Sequence, residues 1–159
     1  MTLALGIDPG TATTGYGLVR SHPDGSLEAV SFGVITTPKE MPAPERLDLL
    51  YQALNKILDQ YSPETCAVEK LFFQKNVSTA IAVGQARGVL LLALAQKGLD
   101  VAEYTPNEVK QAVAGYGSAE KRQVQEMVRI LLVLPEIPRP DDAADALAIA
   151  ICHLNTHRY

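Results

Sequence analysis

The 159-residue sequence has no surplus of positive charge: 14 Lys plus Arg stand against 18 Asp plus Glu, a formal net charge of -4. A uniformly basic surface for polyanions is therefore excluded, although a local patch is enough to bind nucleic acid. Cysteine is scarce. Cys66 and Cys152 lie far apart among apolar neighbours, without CxxC spacing, which suits reduced thiols used as small core residues rather than a disulfide framework or a zinc site. Long apolar runs are also missing: AIAV is interrupted by Gly84, Gln85 and Arg87, and GVLLLALA is bounded by Gln96 and Lys97, so neither reaches the roughly 20 residues that cross a bilayer. MTLALGIDPG has no basic leader region and no small-residue cleavage site, so the cytoplasm is the expected compartment. Repeats, low-complexity tracts and linkers are absent. Residues 1–159 are expected to form a single domain, at 47% hydrophobic and 20% charged residues a globular composition.

The first third reads as sheet. LALGID (3–8) is a short apolar run stopped by Pro9-Gly10; GYGLVRS (15–21) follows, and the HPDG turn (22–25) reverses the chain into LEAVSFGVITT (27–37), an antiparallel meander. After MPAP (41–44), Leu47, Leu50, Leu54, Ile57, Leu58 and Tyr61 recur at helical spacing. TCAVEK (65–70) reads as a buried strand, Ser78 to Lys97 as a helix closed by Gly98, and DVAEY (100–104) as the next strand. Thr105-Pro106-Asn107-Glu108 opens another helix, with a capping residue, proline at the first helical position and Glu three after the cap; Gly115 to Ser118 breaks it. A further helix runs to about Leu134, and DDAADALAIAICHL (141–154) is the last. This order predicts an α/β fold, a mixed five-stranded sheet with helices on both faces.

Acidic residues stand where these elements end. Asp8 closes the first strand before a glycine turn, the place where open α/β sheets meet substrates, although a turn-forming Asp looks the same. Glu69 closes TCAVE, and could instead pair with Lys70 or Lys75. Asp142 and Asp145, three apart, share one face of a helix that is apolar nearly all round. An N-cap role for Asp141 or Asp142 explains one acid; Asp145 would need a basic partner that the sequence does not identify. Were the three segments to converge, four carboxylates would repel one another unless cations sat between them. All-oxygen ligation suits Mg²⁺ or Mn²⁺, and two such ions about 4 Å apart activate water and stabilise the leaving oxygen in phosphodiester hydrolysis. The pattern suggests a metal-dependent nuclease.

From Lys70 to Leu99 there are four bases, Lys70, Lys75, Arg87 and Lys97, and no acid. Such a run is usually a solvated face, but directly after Glu69 it is also a place for phosphate contacts, and Asn76, Ser78 and Thr79 add neutral donors at a helix start. Phe72 and Phe73 are consecutive, so an extended backbone would point one of them outward. His153 and His157 lack the Glu of HExxH and read as helix-end capping residues. The GYG triplets at 15–17 and 115–117 are too short to argue for a dinucleotide fold.

Five blocks in order, GIDPGTATTGYG, Glu69-Lys70-Leu71-Phe72-Phe73, NVSTAIAVGQARG (76–88), YTPNEVKQAVAGYGSAEKRQVQ (104–125) and DDAADALAIAICH (141–153), resemble the RuvC family of Holliday junction resolvases from Gly6 to His153. The resemblance implies a ribonuclease H-like fold and a homodimer that nicks two opposing strands of a four-way DNA junction in recombination and repair. It implies that Asp8, Glu69, Asp142 and Asp145 are the catalytic, metal-binding tetrad for two Mg²⁺ ions, with Asp142 at a position where some members carry His. It favours Phe72 as an aromatic stacked on an unpaired base at the junction centre. Lys110 and Lys121 match basic positions near the scissile phosphate and backbone, with Arg122 beside them, and branch-migration proteins become expected partners. An RNA-processing nuclease of the same fold, the YqgF-like group, and a catalytically silent junction-binding protein are the competing readings.

Overall fold

The computed structural model describes residues 1–10, 12–70 and 76–157. Strands β1 (Thr2–Asp8), β2 (Thr13–Ser21) and β3 (Leu27–Thr36) form the expected meander, followed by α1 (Ala43–Tyr61), β4 (Thr65–Glu69), α2 (Val77–Gln96), β5 (Val101–Tyr104), α3 (Pro106–Ala114), α4 (Lys121–Leu131) and α5 (Asp141–Thr156). The sheet order is β3-β2-β1-β4-β5; β1 and β2 are antiparallel, as are β2 and β3, whereas β4 runs parallel to both β1 and β5. Asp8 lies opposite Gly15, Gly15 opposite Val34, and Ile7 beside Val68. The ends of β1, β3 and β4 therefore share one edge of the sheet, and Asp8 and Glu69 arrive there together.

Alternation along β1 divides the core. Leu3, Leu5 and Ile7 pack with Leu50, Leu54 and Leu58 of α1 and Leu90, Ala93 and Leu94 of α2, while Ala4 joins Val109, Val128, Leu147 and Ile151 from α3, α4 and α5 on the other face. α3 opens as its sequence predicts: Glu108 N–H donates to Thr105 Oγ1 at 3.1 Å and Thr105 N–H to Glu108 Oε1 at 3.0 Å, a reciprocal cap. Cys66 and Cys152 are free and buried, and burial pushes their thiols up to about 12 and about 11, so both are inert core residues as expected.

Four expectations change. α2 is the helix expected over 78–97, but where neither apolar run alone reaches membrane length, its 20 residues together are long and apolar enough, by length and composition alone, to cross a bilayer. It instead buries Val83, Ala86, Leu90, Ala93 and Leu94 while Val77, Ile81 and Leu92 are exposed, because only one face of the helix meets the protein. α4 stops at Leu131, short of Leu134. α5 begins after Pro140, so Asp141 and Asp142 occupy its first turn, where the helix dipole favours them, rather than capping it. Of the two histidines expected to cap the helix end, His157 is the C-cap, its N–H donating to the His153 carbonyl at 2.9 Å, while His153 is 2% exposed, with Nε2 2.6 Å from Thr65 Oγ1 and Nδ1 2.8 Å from the Tyr104 hydroxyl, tying α5 to β4 and β5.

Candidate metal centre and DNA-facing edge

α5 reaches the carboxylate edge because the strands beneath it have no side chains in its way. A Cβ on Gly6 would fall 2.2 Å from the Ala146 carbonyl oxygen, and one on Gly15 would fall 2.0 Å from that of Asp142. Glycine at these two positions permits backbone-to-backbone approach of α5 to β1 and β2. This trough is the functional feature that sequence reasoning missed. Its signal lay in the GYG triplet, read only for dinucleotide binding.

With α5 seated, one carboxylate oxygen each from Asp8, Asp142 and Asp145 comes within 4.8 Å of the others. Glu69, at the end of the neighbouring β4, adds to the crowding of Asp8. Burial, reinforced by Glu69 and by the charges of Asp145 and Asp142, pushes Asp8 up to about 9. Asp145 is also raised, by burial first, against the pull of Lys121. Carboxyl groups this crowded are costly to ionise alone, and a hard cation among them is the compensation their oxygen donor set fits.

Lys121 is the basic partner of Asp145 that the sequence left unnamed: its Nζ lies 3.8 Å from Asp145 Oδ2 and 3.3 Å from Asp141 Oδ2. Burial works against its charge, yet Asp145 and Asp141 raise the ammonium above its ordinary range. Beside the acids a cavity of ≈ 220 Å³ is lined by Glu69, Asp145, Lys110 and Lys121 over Val109, Val124 and Ile149. Both lysines thus border the carboxylates, whereas Arg122 is exposed on α4 outside this lining. Asn76 caps α2, accepting from the Thr79 N–H at 3.3 Å, and Ser78 is exposed in the first turn. Phe72, Phe73 and Lys75 lie outside the described residues.

Arg87, expected at the DNA, has a guanidinium 15% exposed that meets Glu103 Oε1 at 2.6 Å and ties α2 to β5. The partner sits on a strand end 16 residues further along the chain, a pairing that only the packed sheet creates.

A mixed five-stranded sheet whose β1 and β4 edge gathers acids from two strands and a helix is the ribonuclease H-like architecture of metal-dependent nucleases. Within that class, the family described as crossover junction endodeoxyribonuclease RuvC matches residues 4–153, and this chain belongs to it. A relative of that name from Chloroflexus aggregans is 64% identical over 153 residues, 96% of this chain and 93% of the relative. Thermus thermophilus RuvC has a TM-score of 0.90 at 39% identity, covering 96% of this chain and 93% of that one. T. thermophilus RuvC in complex with a Holliday junction substrate has a TM-score of 0.88 at 37% identity, with the same coverage.

Proposed function

We propose that this chain is a structure-selective endonuclease that resolves four-way DNA junctions by paired symmetric nicks, through one nuclease domain spanning residues 1–159. The observation that carries the reading is the convergence of one carboxylate oxygen each from Asp8, Asp142 and Asp145 within 4.8 Å of one another at the sheet edge, with Glu69 at the end of the adjacent strand. These four acids would hold two Mg²⁺ ions, for which Mn²⁺ substitutes. When bound, such ions activate a water and stabilise the leaving oxygen of a phosphodiester.

The chain's own residues supply the rest. Lys121 and Lys110, on the cavity beside Glu69 and Asp145, draw the scissile phosphodiester toward the acids. Asn76 and Ser78, at the start of α2, are placed for backbone contacts, and the charges of Lys75 and Arg122 would add to the pull on the phosphates. Phe72 stacks on an unpaired base at the junction centre. A homodimer brings two acid clusters to one junction, and the exposed Val77, Ile81 and Leu92 of α2 give it an apolar surface to bury. The protein acts in the cytoplasm, together with branch-migration proteins.

The test is Asp8→Asn. Cleavage of a synthetic junction should be abolished while binding survives, because the amide keeps the shape of the carboxyl group but cannot serve as an anionic ligand to the metal ions. Loss of binding in step with cleavage would make Asp8 a structural residue.

A further inference from the structure

Asp141 is a further acid at the carboxylate edge, beyond those that would hold metal. It is not among the three whose oxygens gather within 4.8 Å, and it does not line the cavity beside them. Its charge, at an edge where phosphates approach, opposes DNA binding. The N-terminus of α5 favours an acid in its first turn, but Asp142 already supplies one.

What Asp141 touches is α4. Its Oδ1 accepts from Gln125 Nε2 at 3.2 Å, and its Oδ2 lies 3.3 Å from Lys121 Nζ. Lys121 and Gln125 are one turn apart on the same face of α4, and Asp141 and Asp145 have the same spacing on α5. Where these faces meet, the Lys121 ammonium stands between Asp141 and Asp145, 3.8 Å from the latter. Gln125 therefore orients the Asp141 carboxylate through one oxygen while the other meets the ammonium.

This arrangement answers a weakness of lysine. The ammonium is a point charge on a flexible stem, and the Lys121 side chain is 56% exposed, so charge contacts must keep it over the cavity that it lines. Asp145 is a poor anchor for that purpose, because a cation among the carboxylates would compete for its oxygens. Asp141 lies outside that group and keeps its hold. An ammonium has more than one N–H to donate, so Lys121 can serve Asp141 and still reach a phosphate oxygen.

We propose that Asp141 is a positioning residue of the cleavage reaction: its carboxylate, oriented by Gln125, holds the Lys121 ammonium beside the acids. The proposal rests on the nuclease reading above.

The experiment pairs single-turnover nicking of a synthetic junction in Mg²⁺, followed for hours so that slow rates are read, with junction affinity in EDTA. Asp141→Asn is isosteric and falls on a side chain 67% exposed, so folding is left intact. It should slow nicking at saturating junction by at least about fivefold, without a fall in affinity. Gln125→Ala, which leaves every charge in place, should slow nicking by about twofold or more. In a Lys121→Gln background, Asp141→Asn should add no further slowing, because no ammonium is left to position. A wild-type rate in Asp141→Asn or in Gln125→Ala would overturn the proposal, as would the same fractional loss with and without Lys121. A fall in affinity that matches the fall in rate would also overturn it, by making Asp141 part of the binding surface. Wild-type nicking with unaffected variants would sink this proposal alone; wild-type protein that leaves the junction uncut would sink the nuclease reading itself.

Discussion

Replacing Gly15 by alanine tests whether the seating of α5 sets the geometry of the acids. The added Cβ would stand 2.0 Å from the Asp142 carbonyl oxygen and 3.1 Å from the Asp142 Cβ, where ordinary contact begins at 3.4 Å. The obstruction is backbone, so the N-terminal turn of α5 must retreat by about 1.4 Å, carrying Asp142 and Asp145 away from Asp8. A misplacement near 1 Å costs on the order of 100-fold in rate. Overpacking of this kind also costs about 1–3 kcal/mol of stability, a fall of several degrees in Tm for a chain of this size. Single-turnover nicking at saturating junction and Mg²⁺ reads the first effect and thermal unfolding the second. Gly88→Ala is the control for stability: nothing in the chain lies within 4 Å of its Cβ, so it should stabilise α2 by up to about 1 kcal/mol. A Gly15→Ala protein that cleaves at the wild-type rate would refute the claim that glycine on β2 positions these carboxylates.

Asp8 and His153 should give the metal-free protein opposing pH dependences. With Asp8 raised from 3.8 to about 9, the folded state holds a proton that the unfolded state releases, so stability falls as pH rises through that window, by at most about 1.4 kcal/mol per pH unit. Above pH 6.5 this dependence should be visible by denaturant unfolding, flattened in Asp8→Asn and offset by Mg²⁺; an equal dependence in wild type and variant would contradict it. Burial, then the neighbouring His157, lowers His153 from 6.5 to about 4, so the unfolded state takes the proton first and stability is lost as pH falls from 6.5 to 4. The total is about 3 kcal/mol at most. His153→Gln should remove that acid-side loss relative to wild type, and an unaltered difference between pH 4 and pH 6.5 would count against it. Phe72→Ala should slow cleavage more than it weakens binding, if stacking orders the junction core; an equal loss of both would argue against stacking.

What the sequence revealed followed from local rules. Asp8 and Glu69 were legible because each ends an apolar strand, Asp142 and Asp145 because a three-residue spacing on an apolar helix puts two charges on one face. The Thr105 cap was legible because the reciprocal bonds span only three residues. What stayed hidden depends on pairs brought together by the fold. Arg87 looked like a free cation until β5 set Glu103 against it, and Asp145 looked unpartnered until α4 brought Lys121 to it. His153 looked like a cap until Thr65 and Tyr104 closed around it. Gly6 and Gly15 carry no chemistry of their own, so their role appears only where α5 lies on them. α2 was legible as one helix, because Gly84, Gln85 and Arg87 interrupt its apolar runs without breaking it.

The removal of four acids would leave 14 acids against 14 bases, so the formal charge of -4 equals the charge of the proposed metal site. Two divalent cations would neutralise it at the edge where DNA approaches. The most direct measurement is therefore nicking of a synthetic four-way junction by the purified protein with and without Mg²⁺. Symmetric nicks on two opposing strands that appear with Mg²⁺ or Mn²⁺ and vanish in EDTA are expected. Junction binding without any metal-dependent nick, under the same conditions, would contradict the account.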